Sequence, residues 1–383
     1  MRKPSVIASG AAALAALACV AIGQLPATGA PASAAGKAGS AGVSAAGRTL
    51  ASAAASSQWP ARTVLRLPLR LRISNQVVDP SARAAFVLSA NAPGLAYRLI
   101  RLPLSGGPGL AGAVVPVNGI GLGAGSVWVF GARPAAHSAF KLVLYQISQT
   151  TLAVRRSWTL SPAERRSGFV GFAAGGHGTV WVGFLRTVLR INASSGAIVS
   201  RIQIPRGLTV SDVAADPTGR HLYVAANSPL GETTVVEYSA ATLRKLASNA
   251  SGDLRFSVGG ATATAVPGGV WVSFRTGSMG ETVLLRQQGL RFVKLPGSGH
   301  PGSLFSWTMF ASTEFAGNAL FLARQDGIVA CMSPSTGQVR ARGHVSKLIG
   351  AGNLLGATQS GRVLYGLSQT SVVAIRPPAA CQR

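Results

Sequence analysis

Acidic side chains are scarce in this sequence. Asp and Glu together number 10 among 383 residues, and the first of them is Asp79. Hard-cation sites and general acid–base pairs both depend on clustered carboxylates, whereas these ten are scattered along the chain. The sequence has no G-x-S-x-G elbow, P-loop or H-E-x-x-H string, and its five histidines are isolated from one another. We therefore predict no catalytic residue, no metal site and no cofactor.

Cysteine is also rare, with three residues in the chain. Cys19 lies in an apolar N-terminal run, which leaves Cys331 and Cys381 as a pair. In an exported chain such a pair indicates a structural disulfide. Closing a loop of about 50 residues would contribute roughly 4 kcal/mol in the chain-entropy estimate. Two unpaired thiols are the alternative.

Basic residues far outnumber the acidic ones. The 36 Lys and Arg residues give a formal net charge of +26. Such a surface attracts polyanions such as nucleic acid, anionic lipid or phosphate-rich wall polymer in a salt-dependent way. The basic residues are spread along the chain, however, so a biased Arg-, Ala- and Gly-rich composition explains them as well. Polyanion binding is one partner hypothesis, and no specific nucleic-acid target is predicted.

The N-terminus has the pattern of an export signal. Arg2 and Lys3 precede an uncharged apolar run over residues 6–22, and small residues up to Ala34 fit an A-x-A-like cleavage site. This predicts a signal peptide over residues 1–34 and a secreted or cell-surface protein. Two alternatives stay open, because the run is long enough to remain as a membrane anchor and Cys19 could accept lipid.

Two further segments follow the signal. Residues 35–59 are rich in Ala, Gly and Ser and offer little apolar area to offset ordering entropy, which predicts a flexible linker. The domain then begins at residue 60 and extends to residue 383. At its start, Leu65, Leu67, Leu69, Leu71 and Ile73 alternate with polar residues, which predicts one strand over residues 64–73. Pro68 makes it an edge strand or one bent by a bulge.

A strand centred on an aromatic residue then recurs along the chain. The aromatic residues are roughly 42 to 53 positions apart, the interval of a four-stranded propeller blade: Phe86, Trp128, Trp181, Tyr223, Trp271, Phe321 and Tyr365. Within two repeats, VDPSARAAFV (residues 78–87) matches ADPTGRHLYV (residues 215–224) without a gap. Glycine-rich turns precede most of these strands and supply positive φ without steric cost.

The count predicts an all-β, seven-bladed β-propeller. The last blade ends soon after its third strand, and a circular propeller must join its ends or leave an exposed edge. We therefore predict that the N-terminal strand over residues 64–73 completes the last blade. Trp128, Trp181 and Trp271 then pack between blades rather than against a ligand.

The segment FAAGGHGTVWVGFLRTVLRINASSGAIVSRIQIP (residues 172–205) resembles the repeat of YVTN-type propellers, common in exported actinobacterial proteins. Asn192 stands in place of the usual Asp, and Ser195-Gly196 in place of Thr-Gly. The resemblance covers about residues 60–383. It implies the propeller fold and leaves the ligand open.

The chain is also distantly similar to streptogramin lyases, which are seven-bladed propellers with a His base and a Mg²⁺-binding Glu. That resemblance implies His221 with Glu232 or Glu237 as the nearest local arrangement. Our main hypothesis is an exported binding or interaction module at the cell envelope. We expect a monomer that binds an unknown protein or envelope polymer through loops at one rim of the propeller. The alternative hypothesis is a metal-assisted lyase or hydrolase acting in the central funnel.

Overall fold

The computed structural model describes residues 57–67, 72–90, 96–116, 119–134, 140–159, 171–175, 178–184, 186–249, 261–276, 279–287, 289–293, 295, 306–307, 311–348, 353–368 and 370–382. The predicted signal peptide over residues 1–34 lies outside them, as does most of the predicted linker over residues 35–59. Residues 57–59, at the end of that linker, are part of the folded domain.

Seven sheets with four main strands each form the blades of the propeller. Two strands come before blade 1 in the sequence: β1 (Ser57–Gln58) and β2 (Ala61–Arg66). Blade 1 contains β3 (Arg72–Asp79), β4 (Ala84–Ala90), β5 (Ala96–Pro103) and β6 (Leu110–Pro116). Blade 2 contains β7 (Gly119–Gly123), β8 (Ser126–Pro134), β9 (Phe140–Ser148) and β10 (Val154–Thr159). Blade 3 contains β11 (Phe172–Ala174), β12 (Thr179–Phe184), β13 (Thr187–Asn192) and β14 (Ile198–Gln203).

The remaining blades follow the same order. Blade 4 contains β15 (Thr209–Ala215), β16 (His221–Asn227), β17 (Thr233–Ser239) and β18 (Lys245–Asn249). Blade 5 contains β19 (Thr262–Val266), β20 (Gly269–Thr276), β21 (Met279–Arg286) and β22 (Arg291–Val293), with β23 (Ser306–Trp307) beside β21. Blade 6 contains β24 (Ala311–Ala316), β25 (Ala319–Arg324), β26 (Ile328–Met332) and β27 (Val339–His344). Blade 7 contains β28 (Asn353–Ala357), β29 (Leu364–Leu367) and β30 (Ser371–Ile375). The described residues also include two short 3-10 helices, Ser346–Leu348 and Ala379–Gln382.

The first strands of the blades form a closed ring. Each one contacts the first strand of the next blade, and β28 of blade 7 contacts β3 of blade 1. The second strands are buried on both faces because a blade covers each face, so β12 reads as an almost continuous apolar run. The outer strand β14 alternates instead between exposed positions and positions that are half-buried or buried. This confirms the seven-bladed β-propeller predicted from the repeats.

The hydrophobic core of the described residues is divided into seven clusters, one between each pair of neighbouring blades. Each cluster contains one of the recurring aromatic residues from the second strand of the preceding blade, in ring order from the interface of blades 1 and 2: Phe86, Trp128, Trp181, Tyr223, Trp271, Phe321 and Tyr365. The first six are at most 2% exposed. The prediction that the tryptophans pack between blades is confirmed.

The N-terminal segment completes blade 7. Strand β2 pairs with β30 in antiparallel register, with Arg62 opposite Ala374 and Arg66 opposite Ser371. The predicted closure is therefore confirmed, but its predicted bounds of residues 64–73 are wrong. The closing strand covers Ala61–Arg66, and Ile73 belongs to β3, the first strand of blade 1. The apolar alternation continues across this boundary because both strands contribute to the same core cluster, which contains Leu65 with Ile73 packed against it.

A second contact anchors the closing strand. Strand β1 pairs in parallel with the end of β27, which adds a fifth strand to blade 6. Trp59 follows it and is 3% exposed in the cluster between blades 6 and 7. Its indole lies against Gly343, where an added Cβ would overlap the ring. The N-terminal segment therefore pairs first with blade 6, through β1, and then with blade 7, through β2.

Cys331 and Cys381 form the predicted disulfide, with Cα atoms 5.6 Å apart. Cys331 lies on β26 of blade 6, and Cys381 lies in the C-terminal 3-10 helix. Both sulfurs belong to the same cluster as Trp59. The N-terminal and C-terminal segments are thus fixed to the same inter-blade core.

The antiparallel order of the strands places the turns on two opposite rims. We call the rim with the turns between first and second strands and between third and fourth strands the turn rim. The amide of Gly317 donates to the carbonyl of Gln359 at 2.9 Å, which joins two such turns of blades 6 and 7. We call the opposite rim, where the chain passes from blade to blade, the loop rim.

We predict that Trp59→Ala lowers the free energy of unfolding by about 3 to 5 kcal/mol, because it leaves a cavity beneath the closing segment. Chemical denaturation followed by circular dichroism measures this change. The matched control is Phe292→Ala on β22, where the side chain is 39% exposed and the loss is expected to stay below about 1 kcal/mol. Equal denaturation midpoints for wild type and Trp59→Ala would contradict the proposed anchoring.

We predict that the double variant Cys331→Ser/Cys381→Ser loses about 4 kcal/mol of stability, because the 50-residue separation is no longer closed in the unfolded chain. Reductant should lower the denaturation midpoint of the wild type to the same extent. It should leave the midpoint of the double variant unchanged. A reductant effect of similar size on both proteins would show that the disulfide is not its cause.

Candidate functional site

The central funnel forms a cavity with a volume of about 810 Å³. Its wall is built mostly from the first strands of the blades, with small or apolar residues such as Gly121, Ala174 and Ala214. Two carboxylates interrupt this wall, Asp212 on β15 and Glu314 on β24. Neither residue was predicted from the sequence.

Asp212 lies at a β-bulge and bonds the backbone of two blades. Its Oδ1 accepts from the amide of Val213, and its Oδ2 accepts from the amide of Ala263 on β19, both at 2.8 Å. Burial raises the pKa of Asp212 to about 7, although both backbone bonds favour the ionised form. The carboxyl therefore links blades 4 and 5 and can exchange a proton near neutral pH.

Similar polar contacts join the next pairs of first strands. The hydroxyls of Thr264 and Thr313 lie 2.8 Å apart between blades 5 and 6. The hydroxyl of Ser312 accepts from the amide of Leu354 at 2.7 Å between blades 6 and 7. Asp212 thus belongs to a series of side chains that satisfy the free edges of the inner strands, which is a structural role.

Glu314 differs from these residues. No residue in the described part of the chain donates a hydrogen bond to its carboxylate, and burial raises its pKa to about 7. Because it lines the funnel, this carboxyl can act as a proton donor or acceptor toward a bound molecule. Over the described ranges, no group of three His, Cys, Asp or Glu side chains has the arrangement of a metal site.

The structure brings together one of the two predicted His–Glu pairs. Nδ1 of His221 donates to Oε1 of Glu237 at 2.8 Å, and the Glu237 side chain is fully buried. This pair lies between β16 and β17, and neither residue lines the funnel. Glu232 lies at the other end of β17, in the turn that follows Asn227. The geometry that the lyase resemblance implies is therefore not formed at the funnel.

The turn rim is rich in positive charge. Exposed basic side chains come from five blades: Arg83, Arg155, Arg220, Arg244, Lys245, Arg286, Arg291, Arg62, Arg362 and Arg376. The acidic residues described on this rim are already engaged. Asp79 and Asp216 accept hydrogen bonds within their own turns, and Glu237 is buried beside His221. The rim therefore presents guanidinium groups with little local compensation.

Comparison with known proteins gives the fold and no closer relationship. The sequence matches no protein-family model and no curated protein. The structure is similar to that of BamB from Moraxella catarrhalis, at 14% identity over 79% of this chain and 82% of that one, with a TM-score of 0.51.

Two further solved structures are also similar. The Neurospora crassa Pan2 WD40 domain shares 10% identity over 83% of this chain and 96% of that one, with a TM-score of 0.54. A chain of the mitotic checkpoint complex shares 9% identity over 88% of this chain and 99% of that one, with a TM-score of 0.56. These likenesses establish a β-propeller, a fold that serves many unrelated functions.

Within the described residues, no helix is long and apolar enough to span a membrane.

We predict that Glu314→Gln removes a pH-dependent loss of stability. The folded-state pKa of Glu314 lies near 7, above its ordinary value of 4.5, so the folded protein holds a proton that the unfolded chain releases. The contribution of Glu314 to stability therefore falls as the pH rises from about 4.5 to 7. The variant should match the wild type at pH 4 and exceed its unfolding free energy by about 1 to 3 kcal/mol at pH 8. Denaturation curves at both pH values measure this difference, and a wild type that is as stable as the variant at pH 8 would contradict it.

Proposed function

We propose that this protein is an exported, monomeric propeller of the YVTN type that acts as a binding module at the cell envelope. The partner, an acidic protein or an anionic envelope polymer, contacts the turn rim. The observation that carries the proposal is the set of exposed arginines on that rim, whose nearby carboxylates are occupied within the protein. Uncompensated guanidinium groups attract and orient an anionic partner.

Two features support export. The disulfide between Cys331 and Cys381 is the kind of bond that persists in oxidising compartments. The N-terminal basic residues and apolar run have the composition of a secretory signal. The disulfide also ties the segment that follows β30 to blade 6, so an oxidising compartment favours the folded C-terminal segment.

Fractionation of the native cells tests this proposal. We predict that the disulfide-bonded protein is found in the envelope fraction or the medium, and that salt releases it from envelopes between about 50 and 500 mM. Cytosolic protein with free thiols would contradict the proposal.

The rim assignment has a charge-matched test. Arg244→Glu/Lys245→Glu on the turn rim should weaken envelope retention more than Arg186→Glu/Arg206→Glu on the loop rim, although both pairs change the net charge equally. Equal losses would contradict a partner that contacts the turn rim.

A metal-assisted lyase or hydrolase is the second candidate, because the carboxyl group of Glu314 lines the funnel and accepts no hydrogen bond from a described residue. Incubation with Mg²⁺ and cyclic depsipeptides tests it. Turnover that is lost in Glu314→Gln but kept in His221→Ala would favour this candidate over a pure binding module. No turnover in the wild type would remove it.

A further inference from the structure

A cleft of about 660 Å³ opens on the turn rim at the seam between blades 7 and 1, where the ring is closed. One wall is the start of β2 with the neighbouring part of β30. The other wall is formed by turns of blade 1 that contain Arg83 and Ser105. Its volume lies in the range of small-ligand pockets.

At two other interfaces, a tryptophan side chain bonds the turn between the third and fourth strands of the next blade and so closes the corresponding space. Nε1 of Trp271 donates to the carbonyl of Pro334 at 2.8 Å between blades 5 and 6, and Nε1 of Trp158 donates to the carbonyl of Gly196 at 2.9 Å between blades 2 and 3. At the seam, Tyr365 takes the position of Trp271 and makes no hydrogen bond with a described residue of the blade 1 turn. That turn, residues 105–109, is exposed throughout. The cleft therefore remains open.

Three arginines face this cleft from both walls. Arg62 on β2 and Tyr365 on β29 are both paired with Ala374, so they share a row across blade 7. Arg376 follows two residues after Ala374, and its amide donates to the carbonyl of Pro60 at 2.9 Å.

Arg83 stands on the opposite wall with a φ of 48°, which is unfavourable for a residue with a side chain. Its backbone is held by the amide of Leu104, which donates to the Arg83 carbonyl at 2.9 Å. Residues held in such a conformation cluster at active sites and ligand-binding sites.

These three charges have no partner within the described residues. No Asp or Glu lines the cleft, and none of the three guanidinium groups forms an ion pair or side-chain hydrogen bond there. Asp79 is the acidic residue nearest to Arg83 in the sequence, but its Oδ1 accepts hydrogen bonds from the amides of Ser81 and Ala82. The cleft thus combines three positive charges with the hydroxyls of Tyr365 and Ser105.

We infer that the seam cleft binds a phosphate group of an anionic ligand, which deepens the proposed function and rests on it. A carboxylate carries one charge and two oxygens, which a single arginine satisfies. A phosphate monoester or pyrophosphate carries more charge and enough oxygens to accept from several guanidinium groups at once. The ligand is a small phosphate compound or a phosphate of an envelope polymer.

Titration calorimetry with inorganic pyrophosphate tests this inference. We predict saturable one-to-one binding. Arg62→Ala, Arg376→Ala and Arg83→Gly should each raise the Kd about tenfold or more. Glycine at position 83 suits the positive φ, so this variant should keep its thermal midpoint. The matched control is Arg220→Ala, because Arg220 occupies the equivalent repeat position in blade 4 and does not line the cleft.

Three results would overturn the site: no saturable binding, equal affinity in all variants, or an equal loss in Arg220→Ala. Citrate that binds as tightly as pyrophosphate at equal ionic strength would overturn the assignment to phosphate. A short poly(glycerol phosphate) titrated in parallel identifies the source. Tighter binding of the poly(glycerol phosphate) indicates an envelope polymer, and tighter binding of pyrophosphate indicates a small compound, provided that the seam variants weaken the binding of both ligands.

The two proposals fail in different ways. If the seam variants bind pyrophosphate like the wild type while envelope retention still depends on Arg244 and Lys245, the binding module remains and the phosphate site is wrong. If the protein is cytosolic but the seam variants lose pyrophosphate, the phosphate site remains and the envelope role is wrong.

Discussion

The packing of one aromatic side chain against the following blade is the interaction on which the ring depends. A blade in this chain buries its second strand on both faces, so it has no complete core without two neighbours. The seven clusters are therefore linked in a circle, and the last of them joins the two ends of the chain. Trp59 and the disulfide reinforce that join from the adjacent interface. The closure of the ring also creates the seam between blades 7 and 1, where the cleft on the turn rim remains open.

Much of the fold could be predicted because its determinants are local. The spacing of Trp128, Trp181 and Trp271 sets the blade repeat, and the missing outer strand of the last blade requires closure. The bounds of the closing strand were wrong because period-2 alternation shows that residues are extended and does not show which sheet they join. Leu65 and Ile73 lie on two different strands and still contribute to one inter-blade core. A sequence pattern cannot separate those two strands.

The candidate sites were missed because they depend on tertiary placement. Asp212 and Glu314 come from blades 4 and 6, and the arginines of the seam come from opposite ends of the chain. One signal was present in the sequence. Extending the match between residues 78–87 and 215–224 aligns Asp212 with Asn75, and each bonds the amide of the residue that follows it. A polar residue repeated at that position indicates a special backbone geometry. That its side chain lines the funnel could be seen only once the blades were arranged in a ring.

Amide hydrogen exchange measured by mass spectrometry is the most direct test of the closed ring. If β2 (Ala61–Arg66) pairs with β30 as described, peptides that cover residues 57–67 should be protected for about as long as those that cover β12 and β13. Exchange of residues 57–67 within seconds at neutral pH, with blade 3 still protected, would contradict closure by the N-terminal segment.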